Sequence, residues 1–418
     1  MQIDFSHKHK HYQKITMKNY LYIAFISLLL AACQQAKENT ELTNDFFVNS
    51  TFENEGMSKE PIDFLLKEVE EGKYGNVDRI FLVKNGKLVL DTLYRNDYKK
   101  ISKGKSSPIG CGYNTCQDST AFGEFNYYHP FWHPYYKNRE VHTLQSITKS
   151  ISSLLIGIAI DQSKIPSTDV LILDYLTDFD LSKVEDPLYK ATLEHLLKMK
   201  LGIEWHEIGT PDTDPSNTTF MLEKSNDWIQ YTLNQPMDTF PDTKWIYNSG
   251  GSQLMSVIIK KATGLHLDEY AEKYLFEPLG IKNYHWKKSP TGFPDALGGL
   301  YLEAEDLAKI GLLILKKGNW NGKQIVSTQW VEKSTNRLSD TTQVLDFGYG
   351  FQWWRPDKDG TDVIAGFGHG GQSLIIIPEF DLVAVTFSWN VFDEEVDDIR
   401  ISIISHLIAA NKSNAINK

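Results

Sequence analysis

The strongest constraint on the fold of this 418-residue chain is that its strand-like segments lie near its two ends. DRIFLVKNGKLVLDTLYR (78–95) reads as two strands joined by Asn85-Gly86, a pair that readily adopts the positive φ values of a two-residue hairpin turn. Strand patterns return only at YGFQWWR (349–355), SLIIIPEF (373–380) and LVAVTFSW (382–389), before a closing helix near IRISIISHLIAA. Between them, LEHLLKMKLGI, SNDWIQYTLNQ, GGSQLMSVIIKKATG and LDEYAEKYLFEPLG carry helical periodicity and mostly end at Gly or Pro. A further helix is expected over AEDLAKIGLLILKKG and an early amphipathic one over IDFLLKEVEEG. The expected class is therefore α+β: a sheet assembled from both ends, flanked by helices, with a helical section inserted over roughly 150–285.

The N-terminal region reads as an address. Met17-Lys18-Asn19 precedes an apolar run from Tyr20 to Leu30 and then Ala31-Ala32-Cys33, the basic, apolar and small-residue order of a secretory signal. The run is shorter than the ~20 residues a membrane span requires. A cysteine directly after the small residues resembles the bacterial lipobox, so residues 1–32 are expected to be a signal, with translation starting as late as Met17. Cys33 is then the lipidated residue, residues 33–56 a polar tether and 57–412 the functional domain. This places the protein in the bacterial cell envelope, facing the periplasm or the cell surface. Under this reading HKHKH (7–11) is not a metal site.

Composition removes other partners. Residues 1–32 hold four lysines and one aspartate, so the remainder carries 39 basic and 53 acidic residues, net −14. No strong basic block survives, which argues against a nucleic-acid partner. Cys111 and Cys116, in GCGYNTCQD, could form a short disulfide in an oxidising compartment; no second cysteine pair completes a zinc site. His129 and His133 in YYHPFWHPYY (127–136) each precede a proline, which disfavours the helix a metal pair at that spacing needs; an apolar lip over a pocket is the preferred reading there. Trp353 and Trp354 fit either core or rim.

The chemistry concentrates at LQSITKSISSLL (144–155). Ser146 and Lys149 are three apart at the front of an apolar helical run, so they share a face in the positive field of a helix N-terminus. Burial disfavours a charged amine, leaving the form that can take a proton. A second Ser-x-x-Lys, Ser102 and Lys105, lies in YKKISKGKSSPIG and reads as solvated loop. A serine–lysine pair needs a proton relay and an oxyanion site. WIYNSGGSQLMSVI (245–258) offers Tyr247 and Ser249 just before a helix, and FGHGGQSLIIIPE (367–379) offers His369-Gly370-Gly371 before a strand, where glycines admit a ligand close to the backbone.

In that order, Ser-x-x-Lys, Tyr-x-Ser and His-Gly-Gly resemble the serine β-lactamase and penicillin-binding-protein superfamily, in its class C-like branch of DD-peptidases, esterases and 6-aminohexanoate-dimer hydrolases. HTLQSITKS, LEHLLKMKLGIEW, YLFEPLGIKNYHW, GGLYLEAEDLAKIGLLILKKG and FGHGGQSLIIIPEFDLVAV are also similar to recurring segments of that family, over roughly 60–410. The resemblance implies a β-lactamase/transpeptidase-like fold with an antiparallel sheet and no metal or organic cofactor. It implies Ser146 as the acylated nucleophile, Lys149 as its base and Tyr247 as proton shuttle. His369 takes the usual lysine position and Gly371 the glycine position of the Lys-Thr-Gly motif. The oxyanion hole falls to the backbone N–H groups of Ser146 and Gln372.

Two departures bear on substrate. Where many relatives have Tyr-x-Asn, whose amide meets the substrate's acylamino group, this chain has Ser249. Where relatives often use lysine to meet a substrate carboxylate, it has His369, largely neutral at pH 7. Both weaken the case for β-lactams and D-Ala-D-Ala peptides and favour esters or small amides. A β-lactamase or DD-peptidase, or a silent binding relative, are the competing readings; the presence of both Ser146 and Lys149 opposes the last.

Overall fold

The computed structural model describes residues 36–38, 46–105, 135, 140–211, 214–341, 347–392 and 396–412. Residues 1–32, Cys33, Cys111, Cys116, His129 and His133 lie outside the described residues, and with them the signal, lipidation and disulfide readings.

A nine-stranded antiparallel sheet organises the molecule. Its strands are β1 (Ala36–Glu38), β2 (Val77–Lys84), β3 (Lys87–Arg95), β4 (Ser339–Thr341), β5 (Phe347–Tyr349), β6 (Trp354–Arg355), β7 (Ile364–Gly368), β8 (Gln372–Ile377) and β9 (Leu382–Ser388). They run in the order β1-β3-β2-β9-β8-β7-β6-β5-β4. The two ends of the chain meet at β2 and β9, with Val83 opposite Val383 and Leu82 opposite Ala384. The hairpin between β2 and β3 turns at Asn85 (φ 52°) and Gly86 (φ 74°), as the dipeptide predicts.

The central strands are apolar on both faces because both faces are covered. Ile80, Leu82, Ile375 and Ile377 pack with helices α1 (Glu60–Glu70) and α5 (Ile399–Lys412). Phe81, Val83, Leu374 and Ile376 face the opposite core, shared with α2 (Ile147–Asp161), α3 (Ser249–Thr263) and α4 (Ala304–Leu315). Gly311 lets α4 lie against the sheet; a Cβ there would come within 2.6 Å of Val383. The regular elements described between Ile147 and Leu279 are all helical, and most of their buried apolar residues merge with this second core, while Met199, Trp245 and Tyr247 cluster apart with Tyr349.

Three expectations change. Residues 46–56 are not a free tether: Phe47 and Phe52 are buried, and Glu55 accepts hydrogen bonds from Ser50 Oγ (2.6 Å), Asn85 Nδ2 (3.0 Å) and Lys87 Nζ (2.7 Å). Those partners hold the Glu55 carboxyl down at about 2. Ser102 is buried at the end of a one-turn helix (Tyr98–Ser102), its hydroxyl donating to the Tyr98 carbonyl at 2.8 Å. YGFQWWR is not one strand: Gln352 adopts φ 66° and splits it into β5 and β6. The Gln352 side chain holds that break by donating to the carbonyls of Leu196 (3.2 Å) and Leu197 (3.0 Å).

Candidate active site

The beginning of α2 is prepared by a strained residue. Gln145 has φ 49°, a conformation L side chains adopt at a cost, and it places the half-exposed Ser146 at the N-cap of the helix. Helix geometry then stacks Lys149 under Ser146. Lys149 is 1% exposed, and its Nζ lies 2.8 Å from Ser146 Oγ and 2.8 Å from the carbonyl oxygen of Leu297. These two oxygens fix the amine beside the hydroxyl.

The Leu297 carbonyl is aimed by Asp295, a residue the sequence reading passed over. The buried Asp295 carboxylate accepts from the N–H of Leu297 (3.0 Å) and of Gly298 (2.9 Å), closing a tight turn in the loop PDALGG. Burial pushes the Asp295 pKa up, against the pull of Lys287 and Lys149. Gln253 of α3 clamps the same loop, accepting from Ala296 N–H (2.8 Å) and donating to the Pro294 carbonyl (3.0 Å).

Tyr247 and Ser249 sit on either side of the α3 N-cap. Asn248 between them caps the helix, its Oδ1 accepting from Gly251 N–H at 2.7 Å. Lys149 Nζ lies 5.0 Å from the Tyr247 ring centroid, and that ring stacks on Trp354 at 5.7 Å. The Tyr247 hydroxyl is engaged by no described residue. Ser249 donates its hydroxyl to Glu207 at 2.6 Å. Trp354 is thus a wall of the site, whereas Trp353 is fully buried in the core.

These groups line one cavity of about 280 Å³ that also takes in Phe220, Phe367, Gly368, His369, Asp398 and Arg400. The sheet edge meets the helix here because β7 carries glycine where it touches α2; a Cβ on Gly368 would fall 2.4 Å from the Leu144 carbonyl. Gly371 and Gln372 do not line the cavity, and Gln372 is fully buried with its amide turned onto the backbone of Ser388. Gly368 and His369, three residues earlier in the same hairpin, line the cavity together with Ser146.

Arg400, unremarked in the sequence, reaches the rim from the start of α5. It pairs with Asp398 through Nε (2.9 Å) and Nη2 (2.7 Å) and donates from Nη1 to the Gly368 carbonyl at 3.1 Å. Of the aromatic loop expected as a lip, only Tyr135 is described; it is buried against Tyr98 and His142, away from the cavity. Among the described residues no group of three or more His, Cys, Asp or Glu side chains is placed to hold a metal ion. No helix among them is long and apolar enough to cross a membrane.

Comparison with known proteins agrees with this geometry. A family model described as Beta-lactamase matches residues 82–405. The chain is 26% identical over 266 residues to the 6-aminohexanoate-dimer hydrolase of Paenarthrobacter ureafaciens; the match covers 59% of this chain and 66% of that relative, just under two thirds of its length. Among solved structures, a penicillin-binding protein homologue from Caulobacter crescentus superposes with TM-score 0.60 at 12% identity, covering 88% of this chain and 98% of its own. EstCE1, described as a hydrolase with promiscuous acyltransferase activity, superposes with TM-score 0.59 at 12% identity, over 84% of this chain and 98% of its own. At these identities the two structures speak to the fold.

Proposed function

The chain belongs to the beta-lactamase family of serine hydrolases, and from that premise we propose that it cleaves ester or small amide bonds through an acyl-enzyme on Ser146. The observation that carries the reading is the Lys149 amine, buried and 2.8 Å from Ser146 Oγ on the floor of the cavity. As Ser146 Oγ forms its bond to the substrate carbonyl carbon, its proton passes to Lys149, whose other contact, the Leu297 carbonyl, keeps the amine in reach. The developing oxyanion would be met by the Ser146 N–H at the helix start together with a backbone N–H from the hairpin that joins β7 and β8. Tyr247, across the Lys149 amine, would deliver the proton to the departing alcohol or amine. Water then attacks the acyl-enzyme, releasing the acid and restoring Ser146.

Substrate size and charge support esters and small amides over cell-wall peptides. A cavity of about 280 Å³ lies at the small end of ligand sites. The lysine expected to meet a carboxylate is His369 here, and Arg400 is already committed to Asp398. The relative named as a 6-aminohexanoate-dimer hydrolase fits the same choice.

The proposal extends to location: acylation at Cys33, after Leu30-Ala31-Ala32, would tether the domain to a bacterial envelope membrane. Metabolic labelling with an alkyne fatty acid tests this, and labelling that survives Cys33→Ser would remove it.

The catalytic reading is tested by intact-mass analysis of residues 34–418 after exposure to a fluorophosphonate probe. One adduct on the parent and none on Ser146→Ala is expected. A folded parent that hydrolyses p-nitrophenyl acetate equally well with and without Ser146 would overturn it.

A further inference from the structure

The first strand joins the sheet at a basic corner. β1 (Ala36–Glu38) runs antiparallel to β3, with Ala36 opposite Arg95 and Glu38 opposite Leu93. The chain therefore enters β1 at the end where β3 leaves the sheet. Cys33 precedes Ala36 by three residues, a span of at most about 11 Å at full extension. That end of the edge strand is thus the one nearest the residue expected to carry the lipid.

Beyond Arg95, β3 leads at once into the fixed turn Tyr98–Ser102. Asp97 caps it by accepting from the Lys100 N–H at 3.0 Å, and the Tyr98 hydroxyl donates to the buried Asp78 carboxylate at 2.7 Å. The Tyr98 ring also meets Trp389 edge-on at 5.6 Å. With its inner side pinned in this way, the segment leaves Lys99, Lys100, Lys103 and Lys105 exposed. Over residues 96–105 these four lysines stand against one acid, Asp97, although the chain beyond residue 32 holds 39 basic and 53 acidic residues. Arg95 beside them pairs with Glu140 at 3.3 Å, whereas none of the four lysines forms an ion pair among the described residues.

From this juxtaposition we propose that the four lysines form a membrane-docking surface: they bind the anionic phosphate headgroups of the bilayer that holds acylated Cys33, and so set the β1–β3 edge of the domain against it. This extends the anchoring at Cys33 and rests on it. Attraction between exposed lysines and a lipid surface fades within about 10 Å at 0.1 M salt, so it acts only where the fold keeps the lysines near the bilayer. The β1–β3 register does so, because lipid and lysines leave the sheet at one corner. An acyl chain joined to a basic patch also holds a membrane more firmly than either alone. The acid-rich remainder of the surface is repelled by the same headgroups, which favours one orientation.

The test supplies the anchor chemically. Residues 33–418, the mature chain under the signal reading, are coupled through the N-terminal cysteine to a thioester lipid in phosphatidylcholine vesicles, with or without about one third phosphatidylglycerol. Exposed lysines are then acetylated by a membrane-impermeant reagent and read by peptide mass spectrometry, with Lys183 and Lys190 of the helical section as references. Relative to these, Lys99, Lys100, Lys103 and Lys105 are expected to react about fivefold more slowly on the anionic vesicles than on phosphatidylcholine alone. They are expected to regain their rate in ~1 M salt, where screening shortens to about 3 Å. Equal rates on the two vesicles, or protection that salt does not relieve, overturn the docking surface. Fatty-acid labelling decides the anchor separately. Without label on Cys33 the anchoring reading falls, while the vesicles still decide whether these lysines recognise an anionic bilayer. Label on Cys33 with unprotected lysines keeps the anchor and removes the surface.

Discussion

The two walls of the cavity carry charge in opposite ways. On the sheet side Arg400 meets Asp398 side-on and holds the Gly368 carbonyl, so its cation is matched within the protein. On the helical side Glu207 is held by Ser249 and Trp205, neutral donors that fix its position without cancelling its charge. An arginine in a pocket is therefore not an anion site by virtue of being there. What a wall offers a substrate is the charge left after the protein's own pairing.

The walls meet at Ser146 and Lys149, so the largest effect is expected where they join. Lys149→Ala should lower kcat by at least about 10³-fold on any ester, cationic or neutral, with the fold retained by circular dichroism. A loss under tenfold would show that the two walls do not converge on a shared proton acceptor. Next comes the loop that holds the amine. Asp295→Ala frees the N–H groups of Leu297 and Gly298 and loosens the carbonyl facing Lys149, so kcat should fall about 10- to 100-fold with KM changed far less. An equal rise in KM would place Asp295 in substrate binding instead.

The contrast between walls is sharpened by Arg400→Ala. Removing the guanidinium leaves Asp398 unmatched and makes the sheet wall acidic like the other. KM for cationic esters should fall about 2- to 5-fold and KM for anionic esters should rise, with neutral esters little changed. Identical shifts for all three charge classes would mean that Arg400 acts by propping Gly368 and not through charge.

The sheet was far more legible than the walls. Asn85-Gly86 dictates its turn by backbone chemistry alone, and the runs SLIIIPEF and LVAVTFSW are apolar throughout because helices cover both faces of the strands they form. Ser146, Lys149, Tyr247 and Ser249 were also legible, since each stands at a helix start, a local feature. Glu207 and Arg400 were not, because each is held in part by a residue far away in the chain, Ser249 for Glu207 and Gly368 for Arg400; the Asp295 turn is local, but its bearing on the site comes only through the Leu297 carbonyl that meets the distant Lys149. His-Gly-Gly drew attention to Gly371, but Gly366 and Gly368, two apart on one face of β7, are the glycines that face α2 and the turn leading into it. The polar look of residues 34–56 similarly hid two anchors, Phe47 and Phe52.

The smallest expected effect is the stability of the Arg400–Asp398 pair, and it defines the pH range over which the walls differ. Burial would raise the Asp398 pKa, but the hydrogen bonds and charge of Arg400 outweigh it, so the carboxyl sits below its ordinary range. A depressed folded pKa means that the pair stabilises the native state fully above the unfolded value of about 3.9 and loses that contribution as pH falls through the lower folded value. Both partners are about a third exposed, which limits the contribution to about 0.5–1 kcal/mol. Asp398→Asn should therefore lower Tm by about 1–2 °C, constant above about pH 5 and shrinking as pH falls below the unfolded value of about 3.9. A Tm difference that did not shrink at all on acidification would assign the loss to packing instead of charge. If the window holds, the sheet wall stays neutralised at every pH above about 5. Any change in preference between cationic and neutral esters across that range must then arise elsewhere in the cavity, with Glu207 the first group to replace.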